Sequence, residues 1–130
     1  MNQKFSFSTS PKIIFGAGEI AELSKVIGSY GNNVLIIKTP IENNTSKVID
    51  MVEKAKKKWI SYTIELEPSL PIINEVVIAA REFNTEAVIA VGGGSVIDTG
   101  KAVSALLTNP GHLIDYLEVV GKGLPLQKKS

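Results

Sequence analysis

The sequence predicts an α/β domain with a mostly parallel sheet flanked by helices. Three observations predict it. Stretches with strand and helix periods alternate along the chain, and the connections are long enough for β-α-β crossovers. Two runs, Val34-Leu35-Ile36-Ile37 and Ala87-Val88-Ile89-Ala90-Val91, are apolar without interruption, as parallel strands covered on both faces are. The length, 130 residues, suits one domain with one core and leaves no room for a second of ordinary size.

Phe5 and Phe7 alternate with Ser6 and Ser8, Pro11 interrupts, and Lys12-Ile13-Ile14-Phe15 resumes; this predicts a pair of short strands over residues 5–15. After the turn Gly16-Ala17-Gly18, the residues Ile20, Leu23, Ile27 and Tyr30 fall near helical spacing, and Gly31-Asn32-Asn33 ends that helix. The first apolar strand follows and closes at Lys38-Thr39-Pro40. A second helix starts near Asn43, Asn44 or Thr45, all good N-cap residues. Its stripe is Val48, Met51, Val52, Ala55 and Trp59. Lys54, Lys56, Lys57 and Lys58 stand at its C-terminal end, where cations complement the helix dipole; no aromatic residues interleave to make them a nucleic-acid surface. Ile60, Tyr62, Ile64 and Leu66 alternate with Ser61, Thr63 and Glu65, which predicts a strand with one wetter face toward a sheet edge.

Glu67-Pro68-Ser69-Leu70-Pro71 reads as a loop. Ile73, Val76, Val77, Ala80 and Phe83 stripe a third helix that Asn84-Thr85 ends. The second apolar strand then runs into Gly92-Gly93-Gly94, and a helix opens at Ser95 and continues to about Thr108, before Asn109-Pro110-Gly111. Residues 113–119 read as a short helical segment, and the tail from Gly121 has no period.

Composition excludes several chemistries. Lys plus Arg total 14 and Asp plus Glu 13, a net charge of +1, so bulk electrostatics predicts no nucleic-acid partner. With no cysteine there is no disulfide, thiolate nucleophile or cysteine-bearing metal site. The single histidine, His112, follows Gly111 at a helix start and is expected to be solvent-facing or capping rather than a metal ligand. No apolar run approaches the roughly 18 residues of a membrane span, and the N-terminus has no continuous apolar stretch of a signal peptide, so a cytoplasmic location is expected.

The chemistry concentrates in Val91-Gly92-Gly93-Gly94-Ser95-Val96-Ile97-Asp98-Thr99-Gly100-Lys101. A buried strand enters three glycines and then a helix N-terminus, whose free N–H groups and partial positive charge bind phosphate. Glycines let the backbone approach that phosphate, and the carboxyl end of a strand is where open α/β sheets hold ligands. The alternative is a plain tight turn in which Ser95 and Asp98 form a capping box. Two better-known fingerprints fail: Gly-x-Gly-x-x-Gly would need glycine where Ile97 stands, and the P-loop would need glycine at Ser95 and Ser or Thr at Ala102.

Gly-Gly-Gly-Ser-x-x-Asp-x-x-Lys after an Ala-Val-Ile-Ala-Val strand resembles the iron-containing (group III) alcohol dehydrogenases, whose wider superfamily includes glycerol dehydrogenase and dehydroquinate synthase. The resemblance runs nearly the whole chain: residues 11–18, the strand 34–37, Glu67-Pro68 where many members have Asn-Pro, Ala80-Arg81, Asn109-Pro110-Gly111 and Asp115-Tyr116. Ser95 favours the alcohol dehydrogenase branch. The resemblance implies a Rossmann-like NAD(P)-binding domain of the dehydroquinate synthase N-terminal type over residues 1–130. It implies that Gly93, Gly94 and Ser95 hold the cofactor pyrophosphate, that Asp98 lies beside the nicotinamide half with Lys101 behind it, that Thr39 faces the adenosine ribose, and that Glu67 sits near the adenine side.

Two departures shape the remaining expectations. Many NAD-preferring members carry aspartate where Thr39 stands; Thr39 removes the repulsion of a 2′-phosphate and Lys38 adds a nearby cation, so NADP(H) is expected to be tolerated or preferred over NAD(H). The family's iron or other divalent metal is held by an aspartate and histidines in a C-terminal helical domain, and a Thr-Thr-rich segment follows the Leu124-Pro125 region; neither is in this sequence. No catalytic or metal-ligating residue is therefore expected here, and the isolated chain is expected to bind nucleotide without oxidising a small alcohol or reducing an aldehyde. The alternative is a non-catalytic nucleotide-binding or assembly module that keeps the fold. The apolar N-terminal strands, Phe5, Phe7, Ile13, Ile14 and Phe15, are expected to pair with a second copy, as members of the resembled family do.

Overall fold

The computed structural model describes residues 23–24, 27–40, 43–65, 69–108 and 114–120. The expected strands over residues 5–15, Glu67, His112 and the tail from Gly121 lie outside them. The described chain forms β1 (Asn33–Lys38), α1 (Asn43–Lys54), β2 (Lys58–Thr63), α2 (Leu70–Glu82), β3 (Ala87–Gly92), α3 (Gly94–Leu107) and β4 (Asp115–Val120), with a 3₁₀ turn at Ile27–Ser29 ahead of them. The four strands make one parallel sheet in the order β2-β1-β3-β4. The α/β class and parallel sheet are as the sequence predicts.

The connections explain the layers. The chain goes from β1 to β2 in one direction, then back past β1 to β3 and on to β4. Right-handed crossovers running in opposite directions place their helices on opposite faces. Val34 and Ile36 of β1 and Ala87, Ile89 and Val91 of β3 accordingly pack with Val48 and Val52 of α1 and with Leu23 and Ile27. Leu35, Ile37, Val88 and Ala90 pack on the other face with Val76, Val77 and Ala80 of α2 and Val96, Val103 and Leu107 of α3. The two uninterrupted apolar runs are thus the two inner strands, buried on both faces. β2 is an edge strand of half-exposed residues, as its alternation predicts.

Three local readings need correction. Residues 115–120 are β4, not a helix: Ile114 and Tyr116 enter one core while Leu117 and Val119 enter the other, the two-sided burial of a strand hydrogen-bonded along β3. Trp59 belongs to β2, not to the stripe of α1. The helix ends at Lys54, and Lys56 takes φ 62°, a left-handed turn that a helix cannot continue. Leu70 and Pro71 open α2, where Pro is preset for the first turn and Ser69 caps it by accepting from the Ile72 N–H (3.4 Å). The lysine cluster does not act as one: only Lys54 lies in the last turn of α1, and the buried Lys57 donates to the Tyr30 carbonyl (2.8 Å).

Glu86 ties the N-terminal ends of β1 and β3 together. Its carboxylate accepts from the backbone N–H of Asn32 (2.7 Å) and of Asn33 (3.2 Å), and a Cβ added at Gly31 would overlap its side chain. Glu86→Ala should lower unfolding free energy by about 1–3 kcal/mol in denaturant titration, the range for hydrogen bonds to a charged acceptor, and Glu86→Gln by less. A left-handed β-unbranched residue with a Cβ costs roughly 1 kcal/mol, so Lys56→Gly should raise the unfolding free energy in denaturant titration by up to about 1 kcal/mol, less the entropy glycine adds to the unfolded chain. The same change at Asn84 (φ 61°) should gain less, because Asn tolerates this region.

Candidate functional site

The reversal of direction at β1 opens a crevice. The connections leaving β1 and β3 diverge to opposite faces, so none of the described residues fills the space between their carboxyl ends, the usual ligand position in an open α/β sheet. A cavity of about 410 Å³ lies there, lined by Thr39 and Pro40 after β1, Ile64 and Glu65 after β2, and Gly93 to Val96 at the start of α3.

The glycines of the turn serve different ends. Gly92 has φ +143°, and a Cβ there would stand 3.0 Å from Thr39 Cγ2, so the fold itself demands glycine. Gly94 is the opposite case: its φ is outside the left-handed region, and an added Cβ would meet nothing within 4 Å. Among the described residues nothing requires glycine at 94.

The N-cap of α3 is Gly93, in extended backbone and with no side-chain cap. Ile97 N–H donates to the Gly93 carbonyl (2.9 Å), the first rung of the helix. The N–H groups of Gly94, Ser95 and Val96 therefore have no intrahelical acceptor. The capping box read for Ser95 and Asp98 is corrected: Ser95 is already inside the helix, its carbonyl accepts from Thr99 Oγ1 (2.8 Å), and it lines the cavity. The local pattern Ser-x-x-Asp fits a cap, but the glycine before it lets the helix start earlier. The result is an uncapped N-terminus carrying partial positive charge, aimed into a cavity.

The expected site residues divide into three groups. Thr39, Gly93, Gly94 and Ser95 are brought together around the cavity. Asp98 and Lys101 are exposed on α3 and do not line it; Lys101 Nζ is 3.6 Å from Oε2 of the buried Glu118 on β4. Glu67 is outside the described residues. Beneath α3 the Tyr116 hydroxyl donates to the Ile97 carbonyl (3.0 Å), and burial, then the Glu118 and Asp98 carboxylates, raise its pKa well above the usual phenol range. Lys38 does not add a cation beside Thr39: its ammonium donates to Thr63 Oγ1 (2.8 Å) and it does not line the cavity.

Sequence reading missed Glu65, which it assigned to the wet face of a strand. The available signal was positional: an acid just past the carboxyl end of a strand. Among the described residues no three His, Cys, Asp or Glu side chains converge as a metal site, and no helix is long and apolar enough to cross a membrane.

A family model described as "Iron-containing alcohol dehydrogenase" matches residues 10–130. The chain is 34% identical over 108 residues to the probable NADH-dependent butanol dehydrogenase 1 of Bacillus subtilis, covering 79% of this chain and 28% of that protein. It is 31% identical over 118 residues to NADH-dependent butanol dehydrogenase B of Clostridium acetobutylicum, covering 87% and 30%. Its structure matches the iron-containing alcohol dehydrogenase of Thermococcus thioreducens with a TM-score of 0.65 at 33% identity, over 77% of this chain and 27% of that one. It matches NADH-dependent butanol dehydrogenase A of Thermotoga maritima with a TM-score of 0.67 at 27% identity, over 85% and 32%. The chain spans less than a third of the length of these relatives.

Proposed function

The chain belongs to the iron-containing alcohol dehydrogenase family, and from that premise we propose that it supplies the dinucleotide-binding portion of an oxidoreductase that moves hydride between a small alcohol or aldehyde and a nicotinamide cofactor. The observation that carries this reading is the pairing of an uncapped α3 N-terminus with a glycine, Gly94, that the fold does not require. A pyrophosphate satisfies both. The N–H groups of Gly94, Ser95 and Val96 hold its oxygens, the helix dipole favours its charge, and the missing Cβ gives it room. The Ser95 hydroxyl adds a donor from the cavity wall.

The rest of the cofactor follows from this anchor. Thr39 faces the adenosine ribose, and Glu67 belongs to the adenine side. Asp98 and Lys101 serve the nicotinamide half, on the β4 side of the glycine turn. When bound, the nicotinamide supplies the hydride chemistry; this chain binds and orients it. The pyrophosphate grip does not sense the 2′ position, so by itself it accepts NAD(H) and NADP(H) alike. The described residues do not fit the family's metal, since no three suitable ligands converge among them. The butanol dehydrogenases among the relatives support small alcohols as the substrate class. We further propose a cytoplasmic protein that associates with a second copy through residues 5–15, whose sequence predicts a strand pair.

Calorimetric titration of the chain with NADH tests the reading. Gly94→Asp should abolish binding, because its carboxylate takes the phosphate's place. The melting temperature should hold or rise slightly, because the new side chain meets open space and an acid suits a helix N-terminus. Retained NADH binding in a folded Gly94→Asp variant would refute the proposed pyrophosphate position.

A further inference from the structure

We infer that Glu65 selects between the two nicotinamide dinucleotides: its carboxylate accepts the adenosine ribose hydroxyls and repels a 2′-phosphate, so the site prefers NADH to NADPH. The inference rests on the reading of the cavity as a dinucleotide cradle. It reverses the expectation drawn from Thr39 and Lys38, and it does so on the geometry of the strand ends.

Among the described residues that line the cavity, Glu65 alone is charged. Its position is held by the sheet. Lys38 pairs with Thr63 in the parallel register of β1 and β2, and the ladder extends one step further, with the Ile64 N–H donating to the Lys38 carbonyl (2.8 Å). Thr39 is therefore level with Ile64, and Glu65 stands one residue beyond it, in the same cavity lining as Thr39 and Pro40. Neighbouring strands lie about 4.8 Å apart, so β1 is one such step from the glycine strand and β2 is two. A ribose joined to a pyrophosphate on the glycine turn extends across β1 toward β2. A glutamate on β2 has one more methylene than an aspartate, about 1.5 Å of extra reach back toward β1.

Among the described lining residues nothing offsets this charge. Thr39 is neutral. Lys38 follows the alternation of Val34 and Ile36, whose side chains face α1, and its ammonium is engaged with Thr63 Oγ1. Arg81, on the α2 layer, donates to the Leu106 carbonyl (3.1 Å), and Arg81 is not among the lining residues. A 2′-phosphate would bring close to two negative charges against a carboxylate with no cation among the described lining residues to neutralise them. Two ribose hydroxyls are instead natural donors to a carboxylate, whose two oxygens accept only.

The test is calorimetric titration of the full chain, the Glu65→Gln variant and the Glu65→Gln/Thr39→Asp double variant with NADH and with NADPH. Wild type should bind NADH more tightly. Glu65→Gln, which keeps the shape and removes the charge, should raise the NADPH-to-NADH affinity ratio about tenfold or more, the scale of one hydrogen bond to a charged acceptor. The double variant restores an acid one strand over and should restore NADH preference, which a merely structural role for Glu65 would not do. If NADH binds and Glu65→Gln leaves the ratio within twofold of wild type, the inference is overturned while the cradle stands. If wild type binds neither dinucleotide, the cradle reading is overturned and this inference with it.

Discussion

β1 and β3 are neighbours in the sheet but not in sequence, and their pairing organises the rest of the molecule. Val34 to Lys38 run in register with Ala87 to Val91, and from Val34 to Ile37 and Ala87 to Val91 every side chain is buried. Strands this apolar must be covered on both faces. The chain meets that requirement by sending α1 to one face and α2 and α3 to the other, which it can do with right-handed connections only if the path reverses direction between β1 and β3. The reversal that completes the core is the same reversal that leaves the crevice open. The ligand site is a geometric consequence of burying two hydrophobic strands.

The turn after β3 shows how one short segment serves fold and ligand with different atoms. Gly92 answers to the fold, through its φ and its contact with Thr39. On the proposed reading Gly94 and the uncapped N–H groups answer to the ligand. A pyrophosphate that binds the folded chain and not the unfolded one links binding to stability: whatever holds those N–H groups also stabilises the fold.

Sequence reading succeeded where burial is complete and local. Residues 34–37 and 87–91 announce inner strands because nothing but two-sided burial explains four or five consecutive apolar residues. The stripe of α2 is equally legible, since Val76, Val77 and Ala80 recur on one helical face. It failed where a non-local partner decided. Residues 114–119 present apolar side chains that satisfy either period over so short a span, and the open edge of β3 settles the matter by accepting a ladder. Trp59 extended an apparent helical stripe because the left-handed backbone at Lys56 leaves no mark in the hydrophobic pattern. Ser95 looked like a cap because capping rules weigh side chains, whereas the backbone freedom of the preceding glycine started the helix two residues earlier.

Glu65 escaped for a related reason. It is distant from the glycine motif in sequence and becomes its neighbour only through the order β2-β1-β3. That order also separates the site's two tasks. On the proposed reading the pyrophosphate rests on backbone N–H groups, which among substitutions only proline removes. On the same reading, discrimination at the ribose falls to side chains at the ends of two adjacent strands, either of which can present an acid to the same space. The anchor can therefore stay fixed while the acid moves between β1 and β2, because charge acts through distance and not through position in the chain. A rule that seeks the discriminating acid at a single strand end reads the absence of aspartate at Thr39 as an absence of selection. The relevant quantity is the charge that lines the crevice itself, and among the described lining residues Glu65 supplies it.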